Sequence, residues 1–528
     1  MKRITSHLAL LVATGHLLGC GADVGDASAG AYDAPPAAAA PSSGDTAGPG
    51  ASGVAQPGAQ DFGLFRDILA RGQIPAPRTL DPMGFFAEHK LDYPAADCGD
   101  ALCVHGLLGV RGNMINGGDC TLVQIGLNSP LQPETLARPP LDLVLSIDVS
   151  GSMRGDALTA VRDGLHQMLD HLDEADTVTL VAYSSDAEVR LSAVTLEDRA
   201  ALDAAIDGLV PLGNTDLYAG LFTAFEQAEA LRAPDRAVRV VLLSDGVATA
   251  GLTDPGRLAG LARAYARRGI GVTTIGVGAD FDVEVMRGLA EVGAGNFYFL
   301  EDPAAVREVF TEEVETFLVP IALDAQVELR VGPGWVVRRA YGTRGWTGGL
   351  RGGRADFPVL FLAGRQRAAD AIEGGRRGGG GGILVELGRA GGETAATGDE
   401  PIGELVLSYT DALTGERRTQ RATVENPLPS GALPERGWFT DDTVEKGFVM
   451  LNVFVGLQLA TELAADADVG TALGVLEALR PQVADWLTDH PDPDIADDME
   501  TVGRFITVLR AAAPGVTVRQ PPAPWPVD

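Results

Sequence analysis

From residue 141 onward, short apolar runs alternate with amphipathic stretches of helical period. Leu141-Asp142-Leu143-Val144-Leu145-Ser146-Ile147 is the kind of run that a strand buried on both faces requires. Residues 155–173 place Leu158, Val161, Leu165, Met168, Leu169 and Leu172 on one stripe, which predicts a helix. The alternation continues with strands at Thr177–Tyr183 and Ala187–Val194, helices at Asp198–Leu209 and Asp216–Leu231, and a strand at Arg236–Leu243. A helix at Asp254–Arg268, a strand at Gly269–Gly278, a helix at Asp282–Val292, a strand at Asn296–Leu300 and a helix at Pro303–Phe317 complete it. This order predicts an α/β domain over 140–318 built on a mostly parallel, doubly wound sheet. Ligands of such sheets sit outside the carboxyl ends of the strands, so the loops after the strands are where chemistry is sought.

After Pro320 the period changes to two. Ala325–Val331 alternates cleanly, and Trp335–Val337, Phe357–Leu362, Ile383–Leu387 and Ile402–Tyr409 are further strands. They predict an antiparallel β-sandwich over 319–430. Two strand-like runs between Val104 and Leu127 would join it, so the α/β domain would be inserted into the sandwich. Gly374–Gly382 reads as a hairpin loop, since it has neither phosphate-loop spacing nor a following helix. Residues 431–528 are helical, with Thr443–Ala464, Val469–Leu487 and Ile495–Ala512 as three helices. The run Phe448–Ala460 is interrupted by Asn452 and Gln458. It reads as core, being too short and polar to cross a bilayer.

The N-terminus follows neither pattern. Lys2 and Arg3 precede a short apolar run, Leu8–Leu18, which ends in Leu17-Leu18-Gly19-Cys20. Residues 1–20 thus read as an export signal. Their end resembles a bacterial lipobox, in which Cys20 takes the lipid and becomes the mature N-terminus. Residues 21–60 are mostly Ala, Gly, Pro, Ser and Asp and cannot offset their ordering entropy, so a disordered tether is expected. At ~40 residues it would reach roughly 35 Å. The expected location is the cell envelope, with the body lipid-anchored and facing the periplasm or the cell surface.

Composition narrows the function. Lys+Arg 41 against Asp+Glu 72 leaves a net charge of −31, which repels phosphate backbones and argues against nucleic-acid binding. It supplies oxygen ligands for hard cations. Seven His and four Cys leave little material for a zinc or redox enzyme. An exported compartment is oxidising, so one disulfide is expected among Cys98, Cys103 and Cys120. Three pairings exist, each leaving one thiol over, and the sequence does not choose; Cys98 and Cys103 are nearest and would close a small loop.

Three loops of the α/β domain carry oxygen ligands: Asp148-Val149-Ser150-Gly151-Ser152, Gly213-Asn214-Thr215-Asp216 and Ser244-Asp245-Gly246. Alternation in D-x-S-x-S sets one carboxylate and two hydroxyls on one side of a turn. A Thr hydroxyl and a second carboxylate arrive from separate loops. Two carboxylates, three hydroxyls and water make the near-octahedral oxygen shell that Mg²⁺ requires. This constellation resembles the metal-ion-dependent adhesion site of von Willebrand factor type A (VWA) domains, over about residues 140–318. The resemblance implies that Asp148, Ser150, Ser152, Thr215 and Asp245 hold a divalent cation, Mg²⁺ or else Mn²⁺ or Ca²⁺. It also implies that an acidic side chain of a partner protein completes the shell. Other residues carry less. Gly276-Val277-Gly278-Ala279-Asp280 reads as a βα turn, and His166 and His171 as a solvated helix face. Glu312, Glu313 and Glu315 likewise read as solvated surface.

Residues 61–139 complete the expected domain list as an N-terminal helical segment and sandwich strands. They contain Phe65-Arg66-Asp67-Ile68-Leu69, Gly72-Gln73-Ile74-Pro75, Phe85-Phe86-Ala87-Glu88-His89 and Asp92-Tyr93-Pro94. This stretch is similar to the N-terminal segment of bacterial YfbK-like VWA lipoproteins, which also end in helices. Neither H-E-x-x-H, G-x-S-x-G nor a P-loop is present, so a non-enzymatic, metal-dependent binding protein is expected rather than a hydrolase. A structural envelope protein whose metal never exchanges its ligand is the other reading.

Overall fold

The structure is a computed structural model describing residues 52–521, apart from 133–138, 234, 246, 279–280, 301–308, 310–319, 364–380, 391–400 and 429–436. The elements before the central domain are β1 (Ser52–Ala55), β2 (Gly58–Ala59), α1 (Gly63–Ala70), α2 (Pro82–Ala87), β3 (Cys103–Gly112) and β4 (Asp119–Ser129). The central domain comprises β5 (Leu141–Asp148), α3 (Asp156–Leu169), β6 (Thr177–Tyr183), β7 (Ala187–Thr195), α4 (Arg199–Asp207), α5 (Leu217–Leu231), β8 (Ala237–Ser244), α6 (Pro255–Ala266), β9 (Gly271–Val277), α7 (Val283–Val292) and β10 (Asn296–Leu300). After it come β11 (Pro320–Val331), β12 (Trp335–Tyr341), β13 (Trp346–Gly349), β14 (Gly352–Ala363), β15 (Ile383–Arg389), β16 (Gly403–Asp411), β17 (Arg417–Val424) and β18 (Trp438–Phe439). Three helices close the chain: α8 (Asp442–Ala465), α9 (Val469–Asp489) and α10 (Pro493–Ala512).

The central sheet has the order β2-β10-β9-β8-β5-β6-β7. Every neighbour pair is parallel except β6 and β7. Strand order reverses at β5, which lies between β6 and β8. All eight β5 residues are buried, as its apolar run requires. Helices α3 and α4 cover one face through Leu158, Val161, Leu202 and Ile206. Helices α5, α6 and α7 cover the other through Leu221, Phe225, Leu258 and Met286. Four of these helices start at an aspartate whose side chain accepts from a first-turn amide: Asp198, Asp216, Asp254 and Asp282.

The second sheet is antiparallel and runs β12-β15-β4-β1-β14-β11-β16-β17, with β3 on the free edge of β4. It folds back on itself, so that Leu108 and Val123 of the β3–β4 hairpin share a core with Val327, Leu329 and Leu405. The expected sandwich is therefore one continuous sheet, and the central domain is inserted between β4 and β11. The helix expected at Pro303–Phe317, with Glu312, Glu313 and Glu315, lies outside the described residues save for Val309, which is helical and buried. Most of Gly374–Gly382 lies outside them too.

Two expectations need correction. First, β1 and β2 fall inside the stretch 21–60 expected to be a disordered tether. β1 bridges β4 and β14, and β2 is a seventh strand of the central sheet beside β10. Backbone bonds order this segment where large side chains are lacking: the Gly58 amide donates to the Gly295 carbonyl and the Gln60 amide to the Phe297 carbonyl, both at 3.0 Å. Residues 21–51 and Cys20 lie outside the described residues. Residues 61–139 divide between two cores. Phe62, Phe65, Phe85 and Phe86 pack with Phe454 and Phe505 of the C-terminal helices, whereas β3 and β4 belong to the sandwich. Second, α8 is long and apolar enough to cross a membrane, so shortness does not exclude it from a bilayer. Burial accounts for its composition: most of it is enclosed by α1, α2, α9 and α10.

The Cys98–Cys103 bridge is formed. Cys120 is disulfide-bonded as well, so the spare thiol expected from three cysteines is not found among the described residues.

Candidate metal centre

Strands β5 and β8 are in parallel register, with Ile147 opposite Leu243, so they end at the same edge of the sheet. Asp148 closes β5 and Ser244 closes β8, and both are fully buried. The Ser244 hydroxyl donates to Asp148 Oδ2 at 2.7 Å, and the Ser150 amide donates to Asp148 Oδ1 at 2.8 Å. The Ser150 and Ser152 hydroxyls lie 3.0 Å apart, and Ser152 Oγ donates to Asp245 Oδ1 at 2.8 Å. Asp148, Ser150, Ser152 and Asp245 are thus joined in one hydrogen-bonded chain. Its buried end is Asp148; Ser152 is exposed.

Thr215 reaches this cluster through its backbone. Its amide donates to Thr249 Oγ1 (3.1 Å), and its carbonyl accepts from the Thr249 and Ala250 amides (3.0 and 3.1 Å). Two residues earlier, the Gly213 carbonyl accepts from the Gly151 amide at 3.1 Å. The loop carrying Thr215 is therefore stitched to both other loops, and Thr215 itself is buried. Its neighbour Asp216 caps α5, accepting from the Ala219 amide at 2.9 Å.

Burial pushes the Asp148 carboxyl above its usual range, against the opposing pull of its bonds from Ser150 and Ser244. A cation beside it would offset that cost. The donor set is all oxygen, with two carboxylates and three hydroxyls, which fits a hard divalent cation. Among the described residues no group of three or more His, Cys, Asp and Glu could hold a metal, so a cation at this site depends on the hydroxyls.

Three supporting residues were not singled out from sequence. Ser244 holds Asp148. Thr249 holds the Thr215 loop. Tyr183 is buried behind the cluster, and its hydroxyl donates to the Leu243 carbonyl at 2.9 Å. Ser244 directly follows the apolar run Val240–Leu243, and that is the one signal that could have marked it. His166 departs from a purely solvated face: its ring nitrogens lie 2.9 Å from Asp203 and 3.1 Å from Asp207, tying α3 to α4 far from this edge.

Fold and site together give the central domain the character of a von Willebrand factor type A domain. The family model for that domain matches residues 142–312. Among curated relatives, the uncharacterized protein YfbK of Escherichia coli is 30% identical over 200 residues, covering 38% of this chain and 35% of that protein. Inter-alpha-trypsin inhibitor heavy chain H4 of Sus scrofa is 28% identical over 194 residues, covering 34% of this chain and 21% of that protein. The chain thus spans about a third or less of these relatives' length. Among solved structures, a von Willebrand factor type A protein from Catenulispora acidiphila aligns over 79% of this chain and 91% of its own, with 16% identity and a TM-score of 0.47. Proximal thread matrix protein 1 from the mussel byssus, solved with a zinc-occupied MIDAS motif, aligns over 34% of this chain and 46% of its own, with 18% identity and a TM-score of 0.29.

Proposed function

We propose that this protein is a metal-dependent binding protein. Asp148, Ser150, Ser152, Thr215 and Asp245 would hold one divalent cation, Mg²⁺ by donor chemistry. When bound, the ion supplies a positive centre for a carboxylate of a partner protein. The hydrogen-bonded chain from Asp148 to Asp245 carries this reading, because it gathers the oxygen donors of separate loops at one sheet edge. The rim favours a protein partner over a small polar solute. Val210 and Leu212 on the Thr215 loop and Val247 on the Asp245 loop are exposed large apolar side chains. The chain's own residues do the rest: Ser244 and the Ser150 amide orient Asp148, and Ser152 presents the open side.

The reading extends to an exported protein with no enzymatic activity. Pull-down of envelope proteins by the intact chain, with Mg²⁺ and with EDTA, tests the binding. Partners retained in Mg²⁺ and lost both in EDTA and with the Asp148→Ala, Ser150→Ala variant support it. Partners retained equally in all three conditions reject it.

A further inference from the structure

The carboxyl ends of β5 and β8 carry the metal centre; their amino ends carry a cavity. Leu141, Ala237 and Gly271, the first residues of β5, β8 and β9, line it together with β11 and β14 of the sandwich. It therefore lies between the two domains. Eight β5 residues at ~3.3 Å each place it roughly 25 Å from the metal centre. Its volume is about 430 Å³, within the range of small-molecule sites.

Its walls are chemically divided. Leu141, Val238, Leu323, Val359 and Phe361 give an apolar floor. Arg232, Arg236, Arg239 and Arg268 also line it, and no Asp or Glu does among the described residues. That is unexpected in a chain where Asp+Glu outnumber Lys+Arg 72 to 41. The carboxylates that bond three of these arginines stand outside the lining. Glu229 accepts from Arg232 at 3.1 Å and from Arg268, and Asp142 accepts from Arg236 at 2.6 and 2.7 Å. Arg239 is buried, donates to the Ala294 carbonyl at 2.8 Å and lies 5.2 Å from the centre of the Phe361 ring. Its guanidinium is thus held at the apolar floor, while those of Arg232 and Arg268 stand at the exposed rim. Among the described residues, a molecule entering the cavity meets hydrocarbon and guanidiniums, three of them bonded from behind by Glu229 or Asp142.

We propose that this interdomain cavity is a binding site for an aliphatic carboxylate of the fatty-acid class. Its head would pair with the arginines and its chain would lie on Leu141, Val238 and Phe361. Planar guanidiniums bond carboxylates in fork geometry, and hydrocarbon burial adds to the affinity along the chain. The site is separate from the metal centre and does not depend on how that centre is read.

Calorimetric titration of the full chain with dodecanoate below its micelle concentration, in EDTA, tests the proposal. Dodecylamine has the same chain with the opposite charge and serves as the control. Saturable binding of one dodecanoate and weak or no binding of dodecylamine are expected. The Arg232→Gln, Arg268→Gln double variant changes exposed side chains and should weaken binding about tenfold. Ala266→Trp, at the half-buried end of α6, should fill the cavity and abolish binding. Absence of saturable binding, equal binding of dodecylamine, or undiminished binding by both variants would overturn the proposal.

Discussion

The Ser152 hydroxyl donates to the Asp245 carboxylate across 2.8 Å, joining residues 93 positions apart. That bond ties the loop after β5 to the loop after β8. It uses donors that a divalent cation would take, so loading the site must reorganise it.

Mg²⁺ should raise the unfolding temperature of the full chain, and EDTA should reverse the rise. A ligand that binds only the folded state at 100 times its Kd stabilises by about 2.7 kcal/mol. Asp245→Asn keeps the size of the side chain and removes its charge, so its unfolding temperature should respond far less. Scanning calorimetry with Mg²⁺, Mn²⁺ and Ca²⁺ measures this. A wild type blind to all three ions would sink the metal assignment.

Gly220 on α5 packs against the ring of Tyr183, where a Cβ would stand 2.4 Å from ring carbons. Both residues are enclosed, so the ring cannot swing aside freely. Gly220→Ala should cost about 1–3 kcal/mol by overpacking. It should also weaken the stabilisation by Mg²⁺, because displacing Tyr183 disturbs its bond to the Leu243 carbonyl beside Ser244. Urea denaturation with and without Mg²⁺ reads both effects.

Asp81 locks three units together. It caps α2 through the Met83 and Gly84 amides (2.9 and 3.1 Å), lies 3.5 Å from Arg287 of α7 and bonds Arg344, which follows β12. Burial acts to raise its pKa, but Arg287, Arg344 and the Gly84 amide outweigh that and hold it below the ordinary value. A folded pKa below the unfolded one contributes stability above the unfolded pKa, and that stability is lost as pH falls through the folded value. Asp81→Ala leaves Arg287 buried without this carboxylate and should cost about 3–5 kcal/mol at neutral pH. The deficit relative to wild type should shrink in acid. Chemical denaturation at pH 7 and pH 3 checks it.

Glu386 carries the opposite sign. Burial on β15 raises its pKa from 4.5 to about 7, with Arg338 and Arg339 pulling it down. The folded state therefore holds a proton that the unfolded state has released, so stability falls as pH rises from 4.5 through 7. Glu386→Gln should flatten that fall. Wild type should lose stability relative to the variant between about pH 5 and pH 8, by at most on the order of 3 kcal/mol. Parallel denaturation curves for the two proteins would show it, and identical pH slopes would contradict the assignment.

Periodicity made the central domain legible. Leu158, Val161 and Leu165 can share a face only in a helix, and Leu143, Val144 and Leu145 suit a strand covered on both sides. The aspartate caps marked helix starts close to where they lie. The D-x-S-x-S turn was equally readable, because its residues are local and lie at a strand end. Ser244 and Tyr183 were not, because a serine at a strand end and a core tyrosine gain their roles only from neighbours distant in sequence.

Local chemistry alone therefore specified the elements, their alternation and the oxygen-bearing loops. What it could not specify was partnership across the chain. Ser52–Ala55 has no hydrophobic pattern of its own and becomes a strand because β4 and β14 offer it unpaired backbone groups. Phe65 and Phe85 look like residues of any core until Phe505 and Phe454 close over them, 5.9 and 5.5 Å away between ring centres. Long-range contacts decide such cases because hydrogen bonding and apolar burial reward proximity in space and carry no record of separation along the chain.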